Sequence, residues 1–275
     1  MFKFRIVGFI LLMALLGGIF FWESGGIWLF IAAAPAMVGA AVGECCSMLD
    51  KSGRSALPVP TALAVWLIAA GCTAGRIFPA AYYAVIMLAA LLIMAAVFAL
   101  LTMKEGILEK MLNSAGAVIL FAPSLILLLQ AYFPEPRGMW LLYLCLVTKA
   151  TDTGGYIVGT LTAKLPGGNH KIAPRVSPKK SYEGLLGGVL LSLAVSWAFY
   201  RFMPQAPFLW YMAAALVLSF GSFFGDLTES AVKRFCGIKD SGSFVPGMGG
   251  AFDVLDSFIY NGILFWPLYS IKDIL

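Results

Sequence analysis

The sequence predicts an all-α fold, a polytopic transmembrane helix bundle of about nine spans with its N-terminus inside. Three observations carry that prediction. Hydrophobic residues make up 61% of the 275 and charged residues only 12%, so lipid is the solvent for most of the chain. The apolar residues fall in runs of roughly 18 to 25, the length a helix needs to cross a bilayer. The bases are also sided. With the N-terminus inside, fourteen lie at inner ends (Lys3, Arg5, Lys51, Arg54, Lys104, Lys110, Lys164, Lys171, Arg175, Lys179, Lys180, Lys233, Arg234 and Lys239), against Arg76, Arg137, Arg201 and Lys272 outside.

Taken in order, the first run follows Lys3 and Arg5. It has the charge of a secretory leader, but Phe20, Phe21 and Trp22 stand where small residues would mark cleavage, so it reads as the first span. The next runs cover residues 27–48, 58–76, 79–101 and 113–133, and with the first they form an N-terminal scaffold region, 1–135. Its notable intramembrane acid is Glu44, near the inner end of the second span, which reads as a snorkelling or capping carboxylate. Runs at 138–160, 183–203, 207–232 and 250–270 make up the second region, 136–275. Small residues recur four apart at Gly39 and Gly43, Gly71 and Gly75, Gly155 and Gly159, Gly184 and Gly188, and Gly221 and Gly225, where helices can meet backbone to backbone.

The polar chemistry gathers in the second region. Lys149 falls inside a span and needs a partner; Asp152, three residues on and on the same face, supplies one. Thr151-Asp152-Thr153-Gly154-Gly155-Tyr156 breaks an apolar run with groups that at such depth face either a cavity or a packed kink. The longest polar segment, Lys164 to Glu183, follows on the inner side, where a soluble nucleotide would arrive and where anionic lipid heads also lie.

Residues 225–257 then hold five of the fourteen acids and three of the nineteen bases. Asp226, Glu229 and Lys233 share one helical face with Ser230 beside them, and Asp253 and Asp256 share a face of a second helix. Between them lie Lys239, Asp240 and a stretch from Gly242 to Gly250 too rich in Gly and Pro for a helix, whose N–H groups can approach an anion. Three carboxylates facing such a loop suit a hard divalent metal that carries a phosphate ligand; a salt-bridged helix pair has the same spacing.

The inventory excludes other chemistries. His170 is the one histidine, which rules out Ser-His-Asp catalysis and His-rich metal sites, and five cysteines without a C-x-x-C give no zinc site or disulfide framework. A net charge of +5 in a few clusters suits local anion sites and a membrane surface, and no nucleic-acid module is present.

Ser230-x-x-Lys233-Arg234-x4-Lys239-Asp240-x5-Pro246-Gly247-x-Gly249-Gly250-x2-Asp253-x2-Asp256 resembles the signature of the phosphatidate cytidylyltransferases, also called CDP-diglyceride synthases. Asp152-Thr153-Gly154-Gly155-Tyr156 and the stretch from His170-Lys171 through Val176-Ser177-Pro178 and Lys180-Ser181 to Glu183-Gly184 are similar to two further motifs of that family, so the resemblance covers roughly residues 148–265. It implies a reaction of CTP with phosphatidate that gives CDP-diacylglycerol and pyrophosphate, in phospholipid biosynthesis at a bacterial inner membrane, with the site on the cytoplasmic side.

The resemblance also implies that Asp226, Asp253 and Asp256 hold one or two cations, most simply Mg²⁺. Lys239 with Gly247, Gly249 and Gly250 would cradle phosphates, while Lys179, Lys180, Lys233 and Arg234 would neutralise charge; Asp152, Ser230 and Asp240 complete the substrate-binding set. Residues 136–275 are then the catalytic transmembrane region, and a homodimer is left open. Met248 and Val254 depart from the family, which has His and Arg there; if those groups touch substrate, each change costs about 1 to 3 kcal/mol. Transfer of cytidylate to another lipid phosphate and cation-coupled transport are the alternative functions, although a transporter is expected to show inverted halves and the polar breaks here occupy only the second.

Overall fold

The computed structural model describes residues 14–101, 105–239, 241–242 and 249–274. After a helical stretch over 14–21 come α1 (Gly26–Lys51), α2 (Pro58–Ala74), α3 (Ala80–Leu101), α4 (Ile107–Gln130) and α5 (Met139–Thr162). Strands β1 (Lys171–Ala173) and β2 (Ser177–Ser181) follow, then α6 (Tyr182–Phe202), α7 (Phe208–Phe235), the short α8 (Ala251–Leu255), a 3₁₀ turn (Asp256–Phe258) and α9 (Asn261–Ser270).

Among the described residues, five helices, α1, α3 (over Ala80–Val97), α4, α6 and α7, are long and apolar enough to cross a membrane. By the length and composition of its helices the chain is a membrane protein. The run at 58–76 forms the shorter α2, and α5, which carries Lys149 and Asp152, is not among the five. The run at 250–270 is not one helix: it divides into α8, the 3₁₀ turn and α9. The break falls where Asp256 Oδ1 accepts the N–H (2.6 Å) and hydroxyl (2.9 Å) of Ser257, a local bond that competes with the helical ladder. Asp253 and Asp256 therefore do not share one helix face, as their spacing predicts, but lie in α8 and in the turn.

The polar segment after α5 is also not helical. Its strands pair antiparallel, Lys171 opposite Ser181 and Ala173 opposite Ser177, so the all-α expectation is corrected by one hairpin. A strand pair is open to a segment in water, since only in lipid must each element satisfy its backbone alone.

The chain forms two compact units. The first comprises Met1–Phe133 and Phe235–Leu255. Here α1 packs along α2, and the predicted small-residue pair sits at the contact: a Cβ on Gly39 would lie 2.7 Å from Trp66 Cβ, and one on Gly43 2.5 Å from Ala62 Cβ. Asn113 on α4 donates to the carbonyls of Arg54 and Ser55, and Ser114 Oγ accepts the Leu57 N–H at 2.9 Å, fixing the α1–α2 connection. Helix α3 is apolar all round, with Tyr83, Ile86, Met87, Ile93 and Met94 exposed, as a lipid-facing helix should be. Helix α8 packs on α1, with Phe252 buried and edge-on to Phe121 at 5.1 Å.

The second unit comprises Pro134–Arg234 and Asp256–Leu275. Its seam is α5 against α6, glycine on glycine: a Cβ on Gly154 would stand 2.4 Å from the Gly187 carbonyl oxygen, and one on Gly188 2.7 Å from that of Thr151. Hydroxyls cross the same core. Thr151 donates to Ser219 on α7 (3.2 Å), Ser192 bonds Ser219, and Tyr143 meets Ser196 at 2.9 Å. Such bonds satisfy polar groups where no water can. A cluster of Trp140, Tyr143, Trp210, Tyr211 and Phe265 fills one part of this core.

Candidate active site

The hairpin is tied to the helices it joins. Ser181 caps α6 by accepting the Gly184 N–H at 3.1 Å, and Asn169 Nδ2 donates to the Gly159 carbonyl at 2.7 Å. Glu183, in the first turn of α6, accepts the His170 N–H (3.1 Å) and lies 2.6 Å from its Nδ1. The two ends of the hairpin are thereby closed on each other. Lys180 is directed from β2 into the unit, where it forms an ion pair with Asp226 of α7 and lies 4.8 Å from the centre of the Phe223 ring.

Around that pair the second unit gathers its charges. Lys149 on α5 donates to Asp152 Oδ2 (3.1 Å), as the spacing predicts, and to Ser257 Oγ (2.9 Å). Ser257 Oγ lies 2.8 Å from Asp152 Oδ2 and 2.9 Å from Asp256 Oδ1, so its single proton serves one carboxylate at a time. Ser222 donates to Asp152 Oδ1 at 2.8 Å. Three carboxylates from α5, α7 and the 3₁₀ turn thus share two ammonium groups, a formal charge of −1 among the five side chains.

The close approach of the turn to α7 depends on Gly225, where a Cβ would stand 2.3 Å from the Asp256 carbonyl oxygen. The predicted Gly221/Gly225 pair therefore packs against the turn and α9 rather than against another long helix.

A cavity of about 610 Å³ opens beside this cluster, within the usual range for small-molecule sites. Asp152 and Asp226 form its acidic part; Lys164, Lys171, Lys179 and Lys180 form its basic part; Thr151, Gly155, Tyr156 and Gly159 of α5 line one wall. Four lysines lining one concavity favour an anionic, phosphate-like guest.

The donor chemistry bears on a metal. Among the described residues, no three of His, Cys, Asp and Glu form a ready-made cage. Asp226 Oδ2 is engaged by Lys180, but its Oδ1 is buried without a hydrogen-bond partner. A buried carboxylate oxygen left open within a net-negative cluster fits Mg²⁺, which takes one or two protein carboxylates and completes its shell from phosphate and water.

Asp152, Asp226, Asp256, Lys179 and Lys180 of the predicted set fall in or beside this cluster and cavity. Others are placed differently. Lys233 pairs with Glu229 along α7, Ser230 is half-buried there, and Arg234 is exposed. Asp253 belongs to the first unit, where its Oδ2 accepts the Gly250 N–H at 3.0 Å beside Gly249, whose φ of +113° suits glycine alone. Lys239 is exposed in that unit, while Asp240, Gly247 and Met248 lie outside the described residues.

Sequence reasoning missed Ser222, Ser257 and the cavity lysines Lys164 and Lys171 as site residues. Ser222 was within reach of it, standing one helical turn before Asp226 and so on the same face.

The sequence model of the Cytidylyltransferase family matches residues 3–272. Phosphatidate cytidylyltransferase of Staphylococcus epidermidis is 40% identical over 133 residues, covering 47% of this chain and 49% of that protein. The phosphatidate cytidylyltransferases of Staphylococcus aureus strain COL (39% over 133 residues) and Bacillus subtilis strain 168 (36% over 137 residues) are similar with the same coverage. The chain spans about half the length of the curated relatives it matches. With the family's pattern followed almost from end to end, this chain belongs to the Cytidylyltransferase family.

Proposed function

We propose that this chain is a phosphatidate cytidylyltransferase, which joins CTP to phosphatidate and releases pyrophosphate, leaving CDP-diacylglycerol for phospholipid biosynthesis. The observation that carries the reading is the lysine-lined cavity ending on the Asp152 and Asp226 carboxylates, in a chain of the Cytidylyltransferase family. The names of its similar proteins point the same way.

A phosphomonoester has a second pKa of about 6, so the lipid phosphate arrives with an anionic oxygen and needs no general base. That oxygen attacks the α-phosphorus of CTP in line; the bond to the bridging oxygen breaks, and pyrophosphate leaves with the electron pair. The obstacle is repulsion between two anions. Lys164, Lys171, Lys179 and Lys180 offset it from the hairpin side of the cavity. Lys149, Ser222 and Ser257 fix the Asp152 carboxylate, and Ser257 also holds Asp256.

Asp226, Asp253 and Asp256 would hold Mg²⁺, alone or with a second cation; bound there, it supplies Lewis-acid neutralisation of phosphate charge. Lys239 and the stretch of Asp240, Gly247, Gly249 and Gly250 are assigned to phosphates, and Ser230, Lys233 and Arg234 to the substrates' flanks.

We extend the proposal to placement. The nine-span reading, N-terminus inside, puts the lysines of the polar segment on the cytoplasmic side of a bacterial inner membrane, where CTP is available. The exposed Tyr156, Leu161, Tyr182 and Leu186 of α5 and α6 suit a lipid substrate entering from the bilayer. Residues 1–135 would act as scaffold and 136–275 as catalytic region, and the chain is compatible with a homodimer. Incubation of the purified protein with labelled CTP, Mg²⁺ and either phosphatidate or a polyprenyl phosphate tests the reading. Label in CDP-diacylglycerol with phosphatidate is expected; label only with the polyprenyl acceptor would overturn the substrate assignment.

A further inference from the structure

Glu44 does more than snorkel. Its carboxylate, on α1, is committed to a stretch of chain some two hundred positions away: Oε2 accepts the Phe252 N–H at 3.0 Å and the Ser241 hydroxyl at 3.3 Å. Those two donors flank residues 242–250, the glycine-rich stretch. The space around the carboxylate is fitted to glycine on both sides. A Cβ on Gly242 would stand 2.5 Å from Glu44 Oε1, and one on Gly250 would stand 2.2 Å from Glu44 Oε2 and 2.2 Å from Ser241 Oγ. A Cβ at either position would displace the Glu44 carboxylate, and at Gly250 the Ser241 hydroxyl as well, from the bonds they make. Phe252 is buried and Ser241 is buried, so water competes little for these bonds.

We propose that Glu44 is a positioning residue that anchors both flanks of the glycine-rich stretch and sets the first turn of α8, and with it Asp253, for cytidylyl transfer. The last part rests on the proposed function; the anchor itself does not. Asp253 is one residue beyond the anchored amide and accepts the Gly250 N–H, so a shift in this turn moves its carboxylate directly. The acceptor geometry, rather than the charge, carries the role, because both partners are hydrogen-bond donors without charge.

The test compares the full chain with Glu44→Ala and Glu44→Gln in detergent, by amide hydrogen exchange of the peptide around Phe252 and by product formation from CTP and phosphatidate. The alanine variant is expected to exchange the Phe252 amide about tenfold faster or more. Its turnover is expected to fall about a hundredfold, the scale of a one-ångström misplacement. The glutamine variant keeps a carbonyl acceptor and should recover most of both.

Unchanged exchange in Glu44→Ala overturns the anchor. Faster exchange with wild-type turnover overturns its bearing on catalysis, and a glutamine variant as impaired as alanine overturns the acceptor account. If the wild-type chain forms no product but the exchange pattern holds, the anchor stands and the proposed function fails.

Discussion

Replacing Lys180 by methionine tests the cavity's electrostatics most sharply. The ammonium engages Asp226 Oδ2, and Asp226 Oδ1 is already buried without a partner, so the variant leaves both oxygens without a donor. Breaking a fully buried pair from one side costs about 3 to 5 kcal/mol; here the side chains keep 19% and 22% of their surface, and water offsets part of the loss, leaving about 2 to 3 kcal/mol. For a chain of this size that lowers the melting temperature by about 3 to 5 °C. Lys180→Met/Asp226→Asn removes the uncompensated charge and should regain most of the stability. Product formation behaves differently: it should fall about a hundredfold or more in the single variant and stay low in the double. Thermal unfolding in detergent and labelled-CTP incorporation read the two effects separately. A single variant that melts with wild type and keeps its turnover would refute the placement of Lys180 on Asp226 and its role in the site.

Three further outcomes follow from particular contacts. Gly154→Ala places a Cβ 2.4 Å from the Gly187 carbonyl oxygen and 2.9 Å from Leu191 Cβ. Because one neighbour is backbone, the variant should lose about 1 to 3 kcal/mol in thermal unfolding, whether or not substrate is present. Ser222→Ala removes the donor to Asp152 Oδ1 and should lower turnover about tenfold, measured at saturating CTP, with Ser222→Thr retaining most of it. Chelation should abolish product formation and added Mg²⁺ restore it, while Mn²⁺ binding followed by electron paramagnetic resonance should weaken at least about tenfold in Asp226→Asn.

The parts of the fold governed by simple periodicity were legible. Long apolar runs became long helices, and the glycine pairs at Gly39/Gly43 and Gly184/Gly188 fell on helix contacts, because close approach requires the missing Cβ. Lys149 found Asp152, since an unpaired charge in an apolar helix has few remedies. The last run was misread because hydropathy averages over polar residues: Asp256 and Ser257 barely lower the mean, yet their mutual bonds end the helix. The hairpin escaped notice because its lysines and serines carry no alternation of apolar and polar residues.

In the site, residues local in sequence were easier to assign than those joined by the fold. Asp226 and Lys180 are 46 positions apart, and both were named, but their ion pair could not be read from spacing. Glu44 and Phe252 are 208 apart, and one partner is a backbone amide, which leaves no compositional trace. Ser257 bridges two aspartates only because the chain turns at Asp256 and brings the hydroxyl against α5.

The central claim is that this cavity transfers cytidylate to a lipid phosphate, and pyrophosphate release by the purified chain with CTP, phosphatidate and Mg²⁺ tests it most directly. Release that requires both substrates and disappears in Asp226→Asn is the predicted result. Release from CTP alone, or equal release from the Asp226→Asn variant, would contradict it and place the chemistry elsewhere.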